Sequence, residues 1–130
     1  MKNFNGVAVY ENLIDWKGKD MNDNELRSVL DQIPVGITVT DLDGRILYYN
    51  DFCAQIVDRK PEYIGMNIRS CHKKPESIKK IDMIYTEMRD GKLEKYQYES
   101  KRKGKILCVT ISPYKTNGYL IGFIQSIVVK

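Results

Sequence analysis

Asn117-Gly118 lies between two long runs with a period of two, Lys105 to Tyr114 and Tyr119 to Val129. An Asn-Gly pair takes up the left-handed backbone of a two-residue turn at little cost, so the runs must fold back on each other as an antiparallel hairpin. Asp43-Gly44 imposes the same constraint earlier in the chain: Ile37 and Val39 alternate with Thr38 and Thr40 before it, and Arg45 to Tyr49 returns after it. Asp90-Gly91 delivers the chain to a further strand, Leu93 to Ser100. The count is five strands in two groups, all reachable by antiparallel pairing.

Before and between these groups the period is helical. Asn22, with Glu25 three residues on, has the spacing of a capping box, and Leu26, Val29, Leu30 and Ile33 form the stripe of a helix that Pro34 ends. Asn50 and Asp51 are good caps for a short apolar helix through Phe52, Cys53, Ala54, Ile56 and Val57. Pro61 starts a turn that Tyr63-Ile64-Gly65 closes. Ile78, Ile81, Ile84, Tyr85 and Met88 recur at three- and four-residue steps, leaving Lys79, Lys80, Glu87 and Arg89 for water. Pro75 suits the first turn of this longer helix and Gly91 its left-handed stop. The predicted class is α+β: a five-stranded antiparallel sheet with short helices and one longer helix over one face.

Residues 1–21 form an N-terminal extension with Val7, Val9, Tyr10, Leu13, Ile14 and Trp16. It reads either as a short strand over Val7 to Tyr10 or as a helical turn over Leu13 to Trp16. Leaving such side chains in water forgoes roughly 1.5–3 kcal/mol apiece, so the segment is expected to cover something apolar. The last strand bears on this, because both its faces are apolar: Tyr119, Ile121, Phe123, Ile127 and Val129 on one, Leu120, Ile124 and Val128 on the other. A strand wet on one side should alternate. The outer sheet face is therefore expected to be covered by the N-terminal segment, by a second copy of the chain, or by both.

At 130 residues the chain is long enough for one core and too short for two. Its 42% hydrophobic and 29% charged residues are those of ordinary soluble globular domains. No apolar run is long enough to span a bilayer, and the N-terminus lacks a basic region followed by a long apolar stretch, so a cytoplasmic protein is expected. Cys53, Cys71 and Cys108 are widely spaced with no CxxC pair, which argues against a disulfide framework or structural zinc. The net charge of +4 gathers in two clusters, Arg69 to Lys80 and Lys101 to Lys105. Neither carries a stacking pattern or a known reader motif, so they read as solvated faces and nucleic acid is not an expected partner. One histidine, His72, cannot assemble a catalytic constellation, and an enzyme is not expected.

Over residues 22–129 the chain resembles a PAS domain. The resemblance is carried by LRSVLDQIP running into Val35-Gly36-Ile37, by the Asp41-Leu42-Asp43-Gly44-Arg45-Ile46 hairpin, and by Asn50 opening the next helix. Ile64-Gly65, the Asp90-Gly91 turn and the closing Tyr119-Leu120-Ile121-Gly122-Phe123 complete it. It implies small helices enclosing an apolar cavity against the sheet, with the PAS domain spanning 22–130 after the extension. It also implies a sensory or regulatory role in signal transduction, exerted on a second copy of the chain through the sheet face and N-terminal helix, and on a partner signalling domain. A ligand-free interaction module with a filled core is the alternative.

IGMNIRSCHKKPES further resembles a subgroup with a Cys-His-Pro-like element before the long helix, although lysines here separate His72 from Pro75. Haem-binding relatives supply a histidine near this element as axial ligand, which implies His72 for that role, with the Cys71 thiolate as the alternative. Any metal would enter only through haem iron. The competing reading is a polar loop histidine exposed among lysines. Ile37, Ile81, Tyr85, Leu107 and Val109 are the expected cavity lining; Tyr96 and Tyr98 either line it or pack against the sheet. Gly65-x-Asn67-x-Arg69 and Gln125 resemble the flavin-binding subgroup, but Ile68 stands where its reactive cysteine would fall, and Lys105 to Tyr114 lacks the ring-binding asparagine, so flavin is not expected. A small organic ligand and a filled core both stay open. Cys53 and Cys108 read as small buried hydrophobes, whereas Cys71, beside a helix start and basic residues, is either oxidant-sensitive or simply packed or exposed.

Overall fold

The computed structural model describes residues 20–130. The expectations for the extension before Asp20 lie outside the described residues. Helix α1 (Asp23–Gln32) opens on the expected reciprocal cap: Glu25 N–H donates to Asn22 Oδ1 at 2.8 Å, and Asn22 N–H donates to Glu25 Oε1 at 2.9 Å. Strands β1 (Gly36–Asp41) and β2 (Ile46–Tyr49), helix α2 (Asp51–Val57) and 3₁₀ turns at Pro61–Tyr63 and Ile68–Cys71 follow. The longer helix α3 (Pro75–Arg89) then leads into β3 (Tyr96–Arg102), β4 (Lys105–Thr116) and β5 (Tyr119–Val129). The sheet has the order β2-β1-β5-β4-β3 with every pairing antiparallel, which is the α+β architecture expected. Strand β3 starts at Tyr96 and not at Leu93, because Leu93 folds against the core before the ladder opens at Tyr96↔Ile111.

Helix α3 buries Ile81, Ile84, Tyr85 and Met88 against the inner face of the sheet. The Tyr85 ring stacks on Phe123 with centroids 3.8 Å apart and planes 9° from parallel. Lys80 departs from its expected place in water and sits 4.0 Å from the Tyr98 ring centroid, where a cation gains from the ring's negative face. Arg69 ties the β1–β2 turn to α3: its Nε donates to Asp82 Oδ1 at 2.6 Å and its Nη1 to the Asp43 carbonyl at 2.8 Å. Gly44 suits that turn because its φ of +93° is strained for any residue with a side chain, and a Cβ would also push Arg69 Nη1 aside.

Two face assignments differ from expectation. Strand β1 turns Gly36, Thr38 and Thr40 inward, so Ile37, expected in the cavity wall, lies on the outer face with Val39. Helix α2 approaches so closely that a Cβ at Gly36 would lie 3.1 Å from Cys53 Cα, and the two threonines find polar partners in Cys53 Sγ at 3.2 Å and Tyr85 Oη at 3.4 Å. A period of two says which residues share a face, not which face is buried. In β5 the register slips between Tyr114↔Gly122 and Lys115↔Leu120, leaving Ile121 as an extra residue. This bulge turns Leu120 toward the core and exposes Tyr119, reversing the alternation read across it. Gly122 beside it admits no side chain, since a Cβ would overlap the Thr40 carbonyl oxygen of β1. Cys53 is buried as expected, but Cys108 is only half-buried, opposite Glu99 and Val128 in the ladder. Among the described residues no helix is long and apolar enough to cross a membrane.

Asn50 joins these parts. It is fully buried, and its Oδ1 accepts from the N–H groups of Ile37 at 2.9 Å and Cys53 at 3.0 Å. Its Nδ2 donates to the carbonyls of Leu30 at 2.7 Å and Val35 at 2.8 Å. Truncation would strand up to four backbone groups at a buried site, each costing about 1–3 kcal/mol when unsatisfied. Asn50→Ala is therefore expected to lower the unfolding free energy by about 3 kcal/mol or more in urea titration. A loss below about 1 kcal/mol would mean that water replaces the amide without penalty.

Candidate functional site

A cleft of ≈ 260 Å³ opens between the end of α2, the 3₁₀ turn before α3, and the inner face of β3, β4 and β5. Leu107, Val109 and Ile127 form its apolar floor, and all three are buried. Tyr98 and Gln125 stand on that floor as polar groups, both consequences of inward-facing positions in β3 and β5. Cys71 and His72 close one side, where His72 caps the 3₁₀ turn by donating its backbone N–H to the Arg69 carbonyl at 3.1 Å. Arg59 and Arg102 also line the cleft, and both lie near His72.

Local geometry sets the two arginines. Asp58 ends α2 in the left-handed region at φ of +55°, which swings Arg59 back over the sheet, where Nη2 donates to Gln125 Oε1 at 3.2 Å. Lys103 and Gly104 make the β3–β4 turn with φ of +52° and +76°, and Arg102 precedes it. An ion pair of 2.6 Å between Lys103 Nζ and Asp58 Oδ1 links the two ends. Both partners are more than half exposed, so the pair fixes geometry more than it adds stability. Arg59 Nε is buried without a hydrogen-bond partner.

Burial pushes the His72 imidazole below the usual histidine range, and the nearby Arg59 and Arg102 guanidiniums push the same way. It stands neutral at physiological pH. Burial also raises the Tyr98 and Tyr85 phenols, which keeps both as hydroxyl donors. Among the described residues no group of three or more His, Cys, Asp or Glu side chains could hold a metal ion.

A PAS-domain family model matches residues 26–125. The chain belongs to the PAS-domain family. A PAS domain from Colwellia psychrerythraea superposes with a TM-score of 0.64 at 18% identity, over 82% of this chain and 95% of that one. A C-terminal domain from Streptococcus mutans gives 0.71 at 21% identity, over 85% and 90%. A sensory box sensor histidine kinase from Vibrio cholerae gives 0.58 at 16% identity, over 93% and 98%. At these identities the likeness establishes the fold. No curated protein matches the chain in sequence.

Within this PAS fold the expected site residues divide. His72, Cys71, Leu107 and Val109 meet at the cleft. Ile81 and Tyr85 lie deeper, around a gap of ≈ 10 Å³ that also touches His72 and Phe123, room for about one water. Ile37 is absent from both, on the far side of the sheet. The Tyr85–Phe123 stack thus fills the middle of the expected greasy hollow. A cleft with a basic rim stays open on one side, and a second opening of ≈ 250 Å³, lined by His72, Ile81, Ile84, Tyr98, Glu99 and Ile111, on the other. His72 and Cys71 stand in the cleft wall, where the haem reading needs them, but the ≈ 260 Å³ open beside them is less than the roughly 300–1,000 Å³ typical of sites for drug-sized ligands. Asn67 and Arg69, which resemble flavin-site residues, are taken up by the scaffold: Asn67 caps the 3₁₀ turn and donates to the Asp43 carbonyl at 2.9 Å. Arg59 and Arg102 were not legible as site residues, since nothing in the sequence separates them from other surface bases.

A depressed histidine favours the folded state when neutral. Its contribution is complete above the unfolded-state value near 6.5 and falls away as pH drops toward the folded-state value. Between about pH 7.5 and 5.5 the wild-type chain should therefore lose more unfolding free energy in urea than His72→Gln, which has nothing to titrate there. Parallel losses in the two proteins would show that His72 is as solvated folded as unfolded.

Proposed function

We propose that this PAS domain is a sensory or regulatory module of signal transduction, non-catalytic, with a small ligand entering beside Cys71-His72 and a second copy of the chain meeting the outer sheet face. The observation that carries the reading is the pairing of an inner cleft with apolar side chains on the opposite face of the same strands that stay partly exposed among the described residues. Ile37 and Val39 of β1, Ile124 and Val128 of β5 and Ile106 of β4 lie on that outer side, and Val128 is 46% exposed. On α1, Leu26 and Val29 are 46% and 47% exposed, so half of the helical stripe read from the sequence stays open among the described residues, while Leu30 and Ile33 are half-buried. Apolar side chains exposed on a sheet face mark a candidate interaction site, and a two-fold pairing of identical sheet faces would cover them with themselves.

The likeness to a sensor histidine kinase from Vibrio cholerae supports a signalling context, with an output domain as the further partner. The Tyr85–Phe123 stack at the centre of the interior, with only ≈ 10 Å³ open beside it, favours a second reading, an interaction module that works through the outer face alone. In both readings the outer face is what other domains contact.

Light scattering should report a dimer at micromolar concentration. Ile124→Glu or Val128→Lys, each placing a charge in the centre of the face, should weaken association at least tenfold without loss of the circular dichroism spectrum. A wild-type chain that stays monomeric at hundreds of micromolar would remove the paired sheet faces from the account.

A further inference from the structure

The cleft's charge balance identifies what it would hold. Arg59, Arg102 and Lys73 line it, and among the described residues none of them has an ion-pair partner. Asp58 is the one carboxylate in the lining, and Lys103 already holds it. Among the described residues, three cations thus share a concave site with no free anion. Such a focused positive potential attracts small negative solutes.

The donors are also incomplete. Arg59 spends Nη2 on Gln125 while its buried Nε has no acceptor, an arrangement a protein rarely leaves unmatched. Tyr98 and Gln125 add neutral polar groups nearer the floor. That floor is apolar, built from Leu107, Val109 and Ile127. A bare inorganic anion would satisfy the rim and leave the floor wet, whereas a neutral apolar molecule would cover the floor and leave the guanidiniums unmatched.

We propose that the cleft binds a small amphipathic organic anion, its carboxylate or phosphate head between Arg59 and Arg102 and its short apolar body on Leu107, Val109 and Ile127. This rests on the reading of the cleft as the ligand site and adds the chemistry of the ligand. Planar guanidiniums favour such heads because two parallel N–H groups can donate to two oxygens of one anion. The volume of ≈ 260 Å³ limits the body to a few carbons or a single ring.

Three probes test the proposal on the full chain by calorimetry and amide-resonance mapping: hexanoate, 1-hexanol and inorganic phosphate. Hexanoate should shift the resonances of His72, Tyr98 and Gln125 and bind at least tenfold tighter than the other two. Arg59→Gln and Arg102→Gln should each weaken hexanoate at least fivefold, while Arg45→Gln, on the β1–β2 turn, should not; unchanged spectral dispersion verifies that the variants fold. Raising the salt concentration should weaken hexanoate and leave 1-hexanol unaffected. Equal binding of 1-hexanol and hexanoate would overturn the anion assignment and keep the cleft as a ligand site. Phosphate binding as tightly as hexanoate would overturn the amphipathic ligand in favour of a bare anion site. Failure of all three to shift any cleft resonance would overturn the anion and the ligand site together.

Discussion

One amide organises the N-terminal half of the domain. The carbonyl of Leu30 is among the last of α1, which have no partner within their own helix, and the Cys53 N–H is among the first of α2, in the same position at the other pole. Asn50 answers both, and also holds the Ile37 N–H and Val35 carbonyl where the chain enters β1. No other residue type presents an acceptor and two donors on so short a stem. An aspartate would keep the helix cap and lose both carbonyls; a serine would be too short to span them. Because α2 is held by this contact, Gly36 can meet Cys53 closely, and α2 can end where Asp58 turns Arg59 over the sheet. The position of the cleft follows from a side chain on the opposite end of the helix.

The fold was legible because its punctuation is chemically unambiguous. Asn117-Gly118, Asp43-Gly44 and the Asn22–Glu25 pair each admit few local structures, and each appears where it was expected, with φ of +52° and +81° at Asn117 and Gly118. What escaped was the choice of face. Threonine in β1 looks like the wet side of a half-buried strand, yet Thr38 and Thr40 are buried because Cys53 Sγ and Tyr85 Oη satisfy their hydroxyls. Alternation carries no information about such partners, which lie 15 and 45 residues away. The bulge at Ile121 escaped for a related reason. It depends on the backbone of β1 coming against Gly122, a contact between strands that are remote in sequence.

The site was legible in part. The Cys71-His72 step announces itself as a histidine beside a proline-started helix, and it does line the cleft. Its neutrality follows from burial and from two arginines, one of them thirteen positions earlier and the other thirty positions later in the chain. Lys101 to Lys105 reads as a uniform basic run; the structure splits it. Lys103 turns to Asp58 while Arg102 turns to the cleft, because the hairpin at Lys103-Gly104 places successive residues on different sides. Charge clusters in sequence are therefore poor guides to charge clusters in space wherever a tight turn interrupts them.

A sensory role asks for a way to make the inner cleft felt outside, and β5 has the geometry for one. Gln125 and Ile127 face the cleft while Ile124 and Val128, each one residue away, lie on the outer side, and the strand is paired on both flanks by β1 and β4. A ligand cannot alter association merely by occupying the cleft. It must bind the paired and unpaired forms with different affinity, and a tenfold difference corresponds to about 1.4 kcal/mol. Arg59 offers a source for that difference, since its guanidinium already grips Gln125. An anion that draws Arg59 away, or locks it down, changes the hold on the middle of β5. The strand has no slack to absorb such a change beside Gly122, where it already lies against β1 too tightly for a methyl group.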